Sequence, residues 1–407
     1  MNKIAIIGGG AAGLMAALTA ANAGAHVTLY EHNTSVGKKI LASGNGRCNI
    51  VNTTANTQDY FGQDPSFVNY ALEQLPFSRF ESFCLSIGLL LDKKDDGRCY
   101  PLSNEAKSVV TALHEAVIKA GVNIVTQVHV KNFLKEKTHF VLQTDSGTKN
   151  YDKILVATGS QAAPQLGATD DGYAFAQDFE HTIIAPYPSL VQLHVASTIH
   201  AKLAGVKAFC EVTLYLNGKP EEKVLGDTLF TRYGLSGLAI LDISQKASLS
   251  LQEYQAVSVG INLLPRYNRQ ALSTQLEKLF KAVPDYTLET ALLGMLPTKV
   301  VPLIIESAKL SPTTLVSKLT TKTVKKLSHQ IQDWRFEVID THGFKHAEVS
   351  GGGVATCEIN ERTMESKLIS GLYFAGEVLD IVGKRGGYNF NFAWASGIIA
   401  GKELART

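Results

Sequence analysis

Residues 3–31 read KIAIIGGGAAGLMAALTAANAGAHVTLYE, and this stretch decides the fold. An apolar run at 4–7 enters Gly8, Gly10 and Gly13. An alanine-rich helical stretch follows, and HVTLY at 26–30 reads as a second strand ending in Glu31. This is the G-x-G-x-x-G dinucleotide unit with its acid about 20 residues on. Gly8 permits the tight turn, Gly10 admits a pyrophosphate close to the backbone, and Gly13 lets the helix pack on the strand. Ala11 and Ala12 open the helix, whose free N–H groups and dipole favour phosphate. Glu31 is placed to accept from ribose hydroxyls. Span 4–25 is uncharged, but five glycines (8, 9, 10, 13, 24), Thr19 and Asn22 interrupt it. A membrane span would be uniformly apolar, and a signal peptide would end at a cleavage site.

A chain of 407 residues implies two or three domains. The 45% hydrophobic and 19% charged fractions are those of a globular protein. Net charge is +2, so no global field recruits nucleic acid or an anionic membrane. Between 299 and 335, seven basic residues (299, 309, 318, 322, 325, 326, 335) face only Glu306 and Asp333. A solvated helix face explains them, with an RNA-contacting patch as the alternative. The five cysteines are odd in number, widely spaced and without a C-x-x-C. That pattern argues against a disulfide framework, a zinc site and a dithiol relay, so no metal is expected. Reduced thiols and the lack of a leader point to the cytoplasm.

The first half alternates strand and helix patterns. Helices are expected at 67–91 and 103–120, and strands at 122–125, 128–133, 140–144 and 149–152. KILVA at 153–157 is an apolar strand ending in Thr158 and Gly159, expected beside the first strand of a doubly wound sheet. Past Pro186 and Pro188 the texture turns β-rich, then helical between 267 and 333. Strands return at 334–339, 347–350 and 371–375, and 387–404 reads as a terminal helix. The expected class is α/β. One doubly wound domain spans 1–188 and 340–407, a β-rich substrate domain spans 189–266 and 334–339, and a helical insert spans 267–333.

Two further clusters carry chemistry. Residues 37–49, GKKILASGNGRCN, follow Glu31 closely; their glycines, Gly46 among them, imply backbone near a ligand. Lys39 and Arg47 can neutralise a pyrophosphate, Arg47 with a bidentate fork, and Ile40 lies between them. A basic surface loop is the competing reading. Cys48 is read as a packed residue rather than a nucleophile. Near the C-terminus, a strand leads to Ala375, Gly376 and Glu377. A glycine turn at 383–387 then opens a helix near Asn389, a second helix start suited to phosphate or a polar ring edge. Lys384 and Arg385 would supply positive charge near a reduced ring, or are surface cations.

These runs, with Ala157–Thr158–Gly159 (ATG), GATDDGY at 167–173, FTRYGLSG at 230–237, TMESK at 363–367 and GLYFAGEVLD at 371–380, resemble one flavoprotein family across the whole chain. It is the BaiN/HI0933-like (YhiN-type) family of FAD-dependent oxidoreductases. The resemblance implies a Rossmann-like, glutathione-reductase-type FAD domain, an inserted β-barrel-like domain and a small helical domain, with non-covalent FAD. It sets Ala12 and Gly13 on the pyrophosphate, Glu31 on the adenosine ribose, and Lys39, Ile40, Gly46 and Arg47 along the cofactor. Val128 falls on the adenine side, with Ala157, Thr158 and Gly159 nearby. Gly376, Glu377, Gly387, Asn389 and Phe390 approach the ribitol and isoalloxazine. The chain departs from the family pattern at Arg232, where relatives carry histidine, and at 382–385, where they often carry aspartate.

Relatives are associated with NAD(P)H-driven reduction of conjugated C=C bonds, in steroid-like acids or in the uracil of ribosomal RNA. A small-amine oxidase and a non-catalytic flavin-binding module are the other readings. No second G-x-G-x-x-G lies between 157 and 186, so no dedicated nicotinamide domain is visible. The substrate is then a small molecule or ribosomal RNA, and no membrane is involved. Lys384, Arg385, Tyr388, Tyr233 and Ser236 are candidate proton donors by motif alone.

Overall fold

The computed structural model describes residues 2–406. The chain divides into two compact units, Met1–Pro188 with Ala347–Thr407, and Ser189–His346.

The first unit is built on a five-stranded parallel sheet. Its order is Leu372–Phe374, Lys153–Val156, Lys3–Ile7, His26–Glu31, Asn123–Thr126. Ile6 sits between Leu155 and Leu29 in register. KILVA therefore lies beside the first strand, as its unbroken apolar run implies for a strand buried on both faces. Two helices cross closely over the sheet, Ala11–Asn22 and Tyr388–Ala405. A Cβ on Gly397 would stand 2.5 Å from the Ala12 carbonyl oxygen, and one on Gly401 2.6 Å from that of Ala16. Only glycine permits that approach.

An antiparallel meander follows at Val130–Glu136, His139–Thr144 and Gly147–Tyr151. A small sheet pairs Val51–Asn52 and Leu91–Lys93 with Arg98–Pro101. The single helix expected over 67–91 is two, Val68–Gln74 and Phe77–Ser86. Pro76 sits extended at φ −62° and ψ 157° and starts the second helix, having no N–H to continue the first. Residue 91 already belongs to the hairpin strand.

The second unit is a closed six-stranded antiparallel barrel. Its order is Leu193–Val195, Gly234–Ser236, Lys219–Phe230, Lys207–Leu216, Val257–Asn262, Trp334–Thr341. Alternation along WRFEVIDT turns Trp334, Phe336 and Val338 inward, where Phe230 meets the two aromatic rings. Between 262 and 334 run the helices Arg269–Ala282, Leu288–Leu292, Val301–Ser307 and Thr321–Gln332. Their apolar faces join the barrel core. Residues 340–346, assigned above to the nucleotide domain, belong to this unit because the last barrel strand runs on to Thr341. Lys322, Lys325 and Lys326 stand on the outer face of Thr321–Gln332, opposite buried Val324, Leu327 and Ile331.

Candidate functional site

The helix Ala11–Asn22 starts from an extended Gly10 with no side-chain cap. Its first-turn N–H groups therefore have no partner in the helix. A Cβ on Gly8 would fall 2.3 Å from the Ala157 carbonyl oxygen, and one on Gly13 1.9 Å from that of Gly8. A Cβ on Gly10 would meet nothing within 4 Å. Two glycines thus close the backbone on itself, and the third faces open space ahead of an uncapped helix. Glu31 is buried and holds this turn: Gly9 N–H donates to its Oε2 at 2.8 Å, and Asn33 donates to Oε1 from N and Nδ2, each at 2.8 Å. Val128 N–H donates to the Glu31 carbonyl at 3.3 Å, which sets Val128 beside the strand end.

Lys39 and Glu377 meet here, Nζ to Oε2 at 2.6 Å. Glu377 Oε1 accepts from Ser160 Oγ at 2.8 Å and from Ser350 N–H at 3.0 Å. Gly376 takes φ +77°, and a Cβ on it would stand 2.8 Å from that of Ala12. Gly376 and Glu377 therefore abut the first turn of the glycine-motif helix, with Ala157 at Gly8. Ile40 packs into the core behind Lys39. Thr158 and Gly159 continue from Ala157, Gly159 at φ +78°. Asp380 closes this strand end. Its carboxylate accepts from Gln63 N–H at 2.8 Å, and burial pushes its pKa up.

The second helix start is also uncapped: Gly387, at φ +98°, precedes Tyr388–Ala405. Asn389 is committed to the preceding turn. Its Oδ1 accepts from Gly383 N–H at 2.8 Å and its Nδ2 donates to the Gly383 carbonyl at 2.9 Å. Asn391 makes the same two-way pair with the backbone of Asn52, at 2.7 and 3.0 Å. Phe390 stacks on Trp394 at 5.4 Å, and Trp394 Nε1 donates to the Ile50 carbonyl at 2.8 Å. Lys384 is paired with Asp59 at 3.0 Å, and Tyr388 lies edge-on to Tyr60. Arg385 is half-buried. Asn52, Asp59, Tyr60, Asn391 and Asp380 escaped the sequence reading. Each acts across hundreds of residues, and the clustered asparagines at 45–56 were the only local hint.

Arg47 stands at the end of a left-handed run, with Gly44, Asn45, Gly46 and Cys48 all at positive φ. Its Nε donates to the Gly44 carbonyl at 3.2 Å and its guanidinium lies 5.5 Å from the Tyr100 ring centre. It opens on a cleft of about 360 Å³ lined also by Lys94, Asp95, Asp96 and Arg98. Burial pushes the Cys48 thiol up to about 12, which removes it as a nucleophile at neutral pH. Tyr233 belongs to the barrel unit. It stacks on His342 at 4.0 Å, whose Nδ1 lies 2.6 Å from His194 Nε2. Among the described residues, no three His, Cys, Asp or Glu side chains are arranged to hold a metal, and no helix is long and apolar enough to cross a membrane.

A parallel sheet whose first strand runs through a G-x-G-x-x-G turn into an uncapped helix start defines a Rossmann-type dinucleotide-binding protein, and the comparisons make it an FAD-dependent oxidoreductase. The family model described as HI0933-like protein Rossmann domain matches residues 2–403, and the chain belongs to that family. It is 35% identical to a 3-dehydro-bile acid delta(4,6)-reductase of Clostridium scindens, covering 100% of this chain and 99% of the relative. It is also 35% identical to a ribosomal RNA dihydrouridine synthase of Haemophilus influenzae, covering 98% of each. The 3-ketosteroid delta1-dehydrogenase of Sterolibacterium denitrificans shares its fold, with a TM-score of 0.53 at 13% identity over 100% of both chains.

Proposed function

We propose that the protein reduces a carbon–carbon double bond conjugated to a carbonyl, with NAD(P)H as the electron source. The carrying observation is the uncapped helix start at Gly10, open in front and braced by Glu31 and the Lys39–Glu377 pair. These residues fit FAD. Gly10, Ala11, Ala12 and Gly13 would take the diphosphate, Glu31 the adenosine ribose, and Val128 the adenine side. Glu377, with Gly376 and Lys39, would hold the central part, and Gly387 with the N–H groups after it a polar ring edge. When bound, FAD supplies two-electron transfer.

The two relatives' names support the choice of reaction. A delta(4,6)-reductase saturates C=C bonds, and dihydrouridine is uridine with its 5,6 bond saturated. Both bonds lie in conjugation with a carbonyl, so one polarised alkene describes both. The chain's own contribution is to bind, orient and exclude water, and to hold a proton for the carbon that hydride does not reach. Lys384 and Tyr388 carry exchangeable protons beside the second helix start.

The deciding experiment is anaerobic mixing of FAD-loaded protein with NADPH or NADH, followed by a conjugated enone or a uridine-bearing RNA. Bleaching of the flavin by a nicotinamide and its recovery on adding the alkene supports this reading. Bleaching only by amines, with peroxide formed on re-aeration, replaces it with an oxidase. No bleaching by any donor leaves a flavin-binding module.

A further inference from the structure

We propose that the outer face of the helix Thr321–Gln332, with the segments beside it, is a docking surface for single-stranded RNA, a role that stands whether or not the reductase reading does. Between Glu306 and Asp333 the chain carries five lysines and no acid. Lys322, Lys325, Lys326 and His329 recur at i, i+3, i+4 and i+7, so they share one side of the helix, and all four are exposed. None of these lysines, nor Lys318 in the turn before them, has a carboxylate partner among the described residues. Asp333, at the helix end, is taken by Arg335 at 2.8 Å and Tyr215 at 3.3 Å. The row works against its own helix. Like charges one turn apart repel, and Lys322 stands in the first turn, at the positive end of the dipole. An ordinary solvated face mixes both signs. Charge that weakens the helix and has no partner in the chain points to an anion outside it.

Two neighbours extend the surface. Val316 N–H donates to the Tyr286 carbonyl at 3.0 Å and Ser317 N–H to that of Pro284 at 3.3 Å. Tyr286, 50% exposed, therefore lies beside the turn that carries Lys318. Asp285 and Glu289 flank Tyr286 in sequence and leave the row of cations itself free of acid. Toward the other end, Ser328 Oγ donates to the Arg269 carbonyl at 3.4 Å. That brings a further exposed cation alongside, again without a carboxylate partner among the described residues. From Lys322 to His329 the row spans about 10 Å of a convex face. A run of phosphates meets such a row, whereas one small oxyanion calls for a concave site. A membrane surface calls for apolar side chains among the cations, and those of this helix, Val324, Leu327 and Ile331, are all buried. An acidic protein would need the charge alone. The half-exposed Tyr286 ring adds a stacking face for an unpaired base, which selects single-stranded RNA.

Fluorescence anisotropy of an end-labelled, unstructured RNA of about 15 nucleotides, titrated with the FAD-loaded protein at stepped salt, tests the surface. The log–log slope of affinity against salt should be about −3, as about four phosphate contacts require. Lys322→Gln, Lys325→Gln and Lys326→Gln together should flatten that slope by about 2 and weaken binding at low salt about tenfold or more. Lys322→Arg, Lys325→Arg and Lys326→Arg together should preserve both. Lys119→Gln, Lys137→Gln and Lys149→Gln, three exposed positions in the other unit, make the same change in net charge and should leave the slope as it was. Tyr286→Ala should weaken binding about fivefold or more with the slope unchanged. No binding at about 50 mM salt, equal flattening by the two glutamine triples, or a DNA duplex of the same length bound more tightly than the RNA would each overturn the assignment. Full affinity in Tyr286→Ala would overturn it in favour of an acidic protein partner. Binding needs neither nicotinamide nor alkene. Its failure removes the RNA surface alone, and failure of an enone to reoxidise the flavin removes the reductase reading alone.

Discussion

Lys39 and Glu377 stand 338 positions apart in sequence and 2.6 Å apart in space. The pair ties the segment after the strand ending in Glu31 to the strand end that precedes the C-terminal helix. Glu377→Ala leaves Lys39, Ser160 and the Ser350 N–H without their shared acceptor, so FAD affinity should fall about tenfold. Glu377→Gln keeps an acceptor and loses only the charge, and should cost less. Fluorescence titration of flavin-stripped protein with FAD measures both, and equal losses would assign the effect to charge alone.

The three glycines of the first turn should separate folding from cofactor binding. Gly13→Ala drives a methyl to 1.9 Å from a backbone oxygen and should cost more than about 3 kcal/mol, seen as lost soluble protein. Gly10→Ala meets nothing and sits at an ordinary φ of −83°. It should shift the Tm of flavin-free protein by no more than about 2 °C. Its methyl fills the space ahead of the helix, so purified protein should carry little flavin. A yellow Gly10→Ala protein would show that the diphosphate lies elsewhere.

His181 is buried between Glu358 Oε2 at 3.1 Å and Ser366 Oγ at 2.8 Å, with its ring against Phe374. Desolvation lowers its pKa more than Glu358 raises it. The Glu358 carboxyl is desolvated too, but donors from Thr182 and His181 bring its pKa down. Both groups bind fewer protons folded than unfolded. Stability is therefore full above about pH 6.5, the pKa of an unfolded histidine, and is lost as the pH falls below it; the carboxylate adds its loss further down. Melting curves at stepped pH should show this decline, with a flatter slope between about pH 7 and about pH 5.5 in His181→Gln. An unchanged slope would place the proton uptake on other groups.

Burial pushes the thiols of Cys48, Cys84 and Cys210 up to about 12 and that of Cys99 to about 11, while Cys357 is exposed. Iodoacetamide at mildly alkaline pH should therefore label Cys357 alone in the native protein, and all five cysteines after unfolding. Native labelling of Cys48, read by mass spectrometry, would reopen a chemical role for it.

The parts legible in sequence are those where backbone geometry admits one residue type. Gly8 and Gly13 touch carbonyl oxygens, and Lys153–Val156 needs apolar side chains on both faces, so motif and pattern located both. The class of the barrel came through alternation, as in Trp334–Thr341, although its last strand runs two residues further than the pattern at 334–339 marks. What stayed hidden depends on partners far along the chain. Nothing near Asn391 announces that it grips Asn52, or near Lys384 that Asp59 awaits it. The Arg47 cleft is closed by a hairpin that the long helical reading of 67–91 ran into, because Pro76 divides a stretch that is otherwise good helix sequence.

The glycines at 397 and 401 set the order in which the molecule can mature. The first helix leaves the ribosome early, but the surface that clasps it, and the strand Leu372–Phe374 at the sheet's edge, emerge some 350 residues later. Until then the glycine turn lacks Gly376 and Glu377 beside it. Nascent chains halted within the barrel should therefore be colourless.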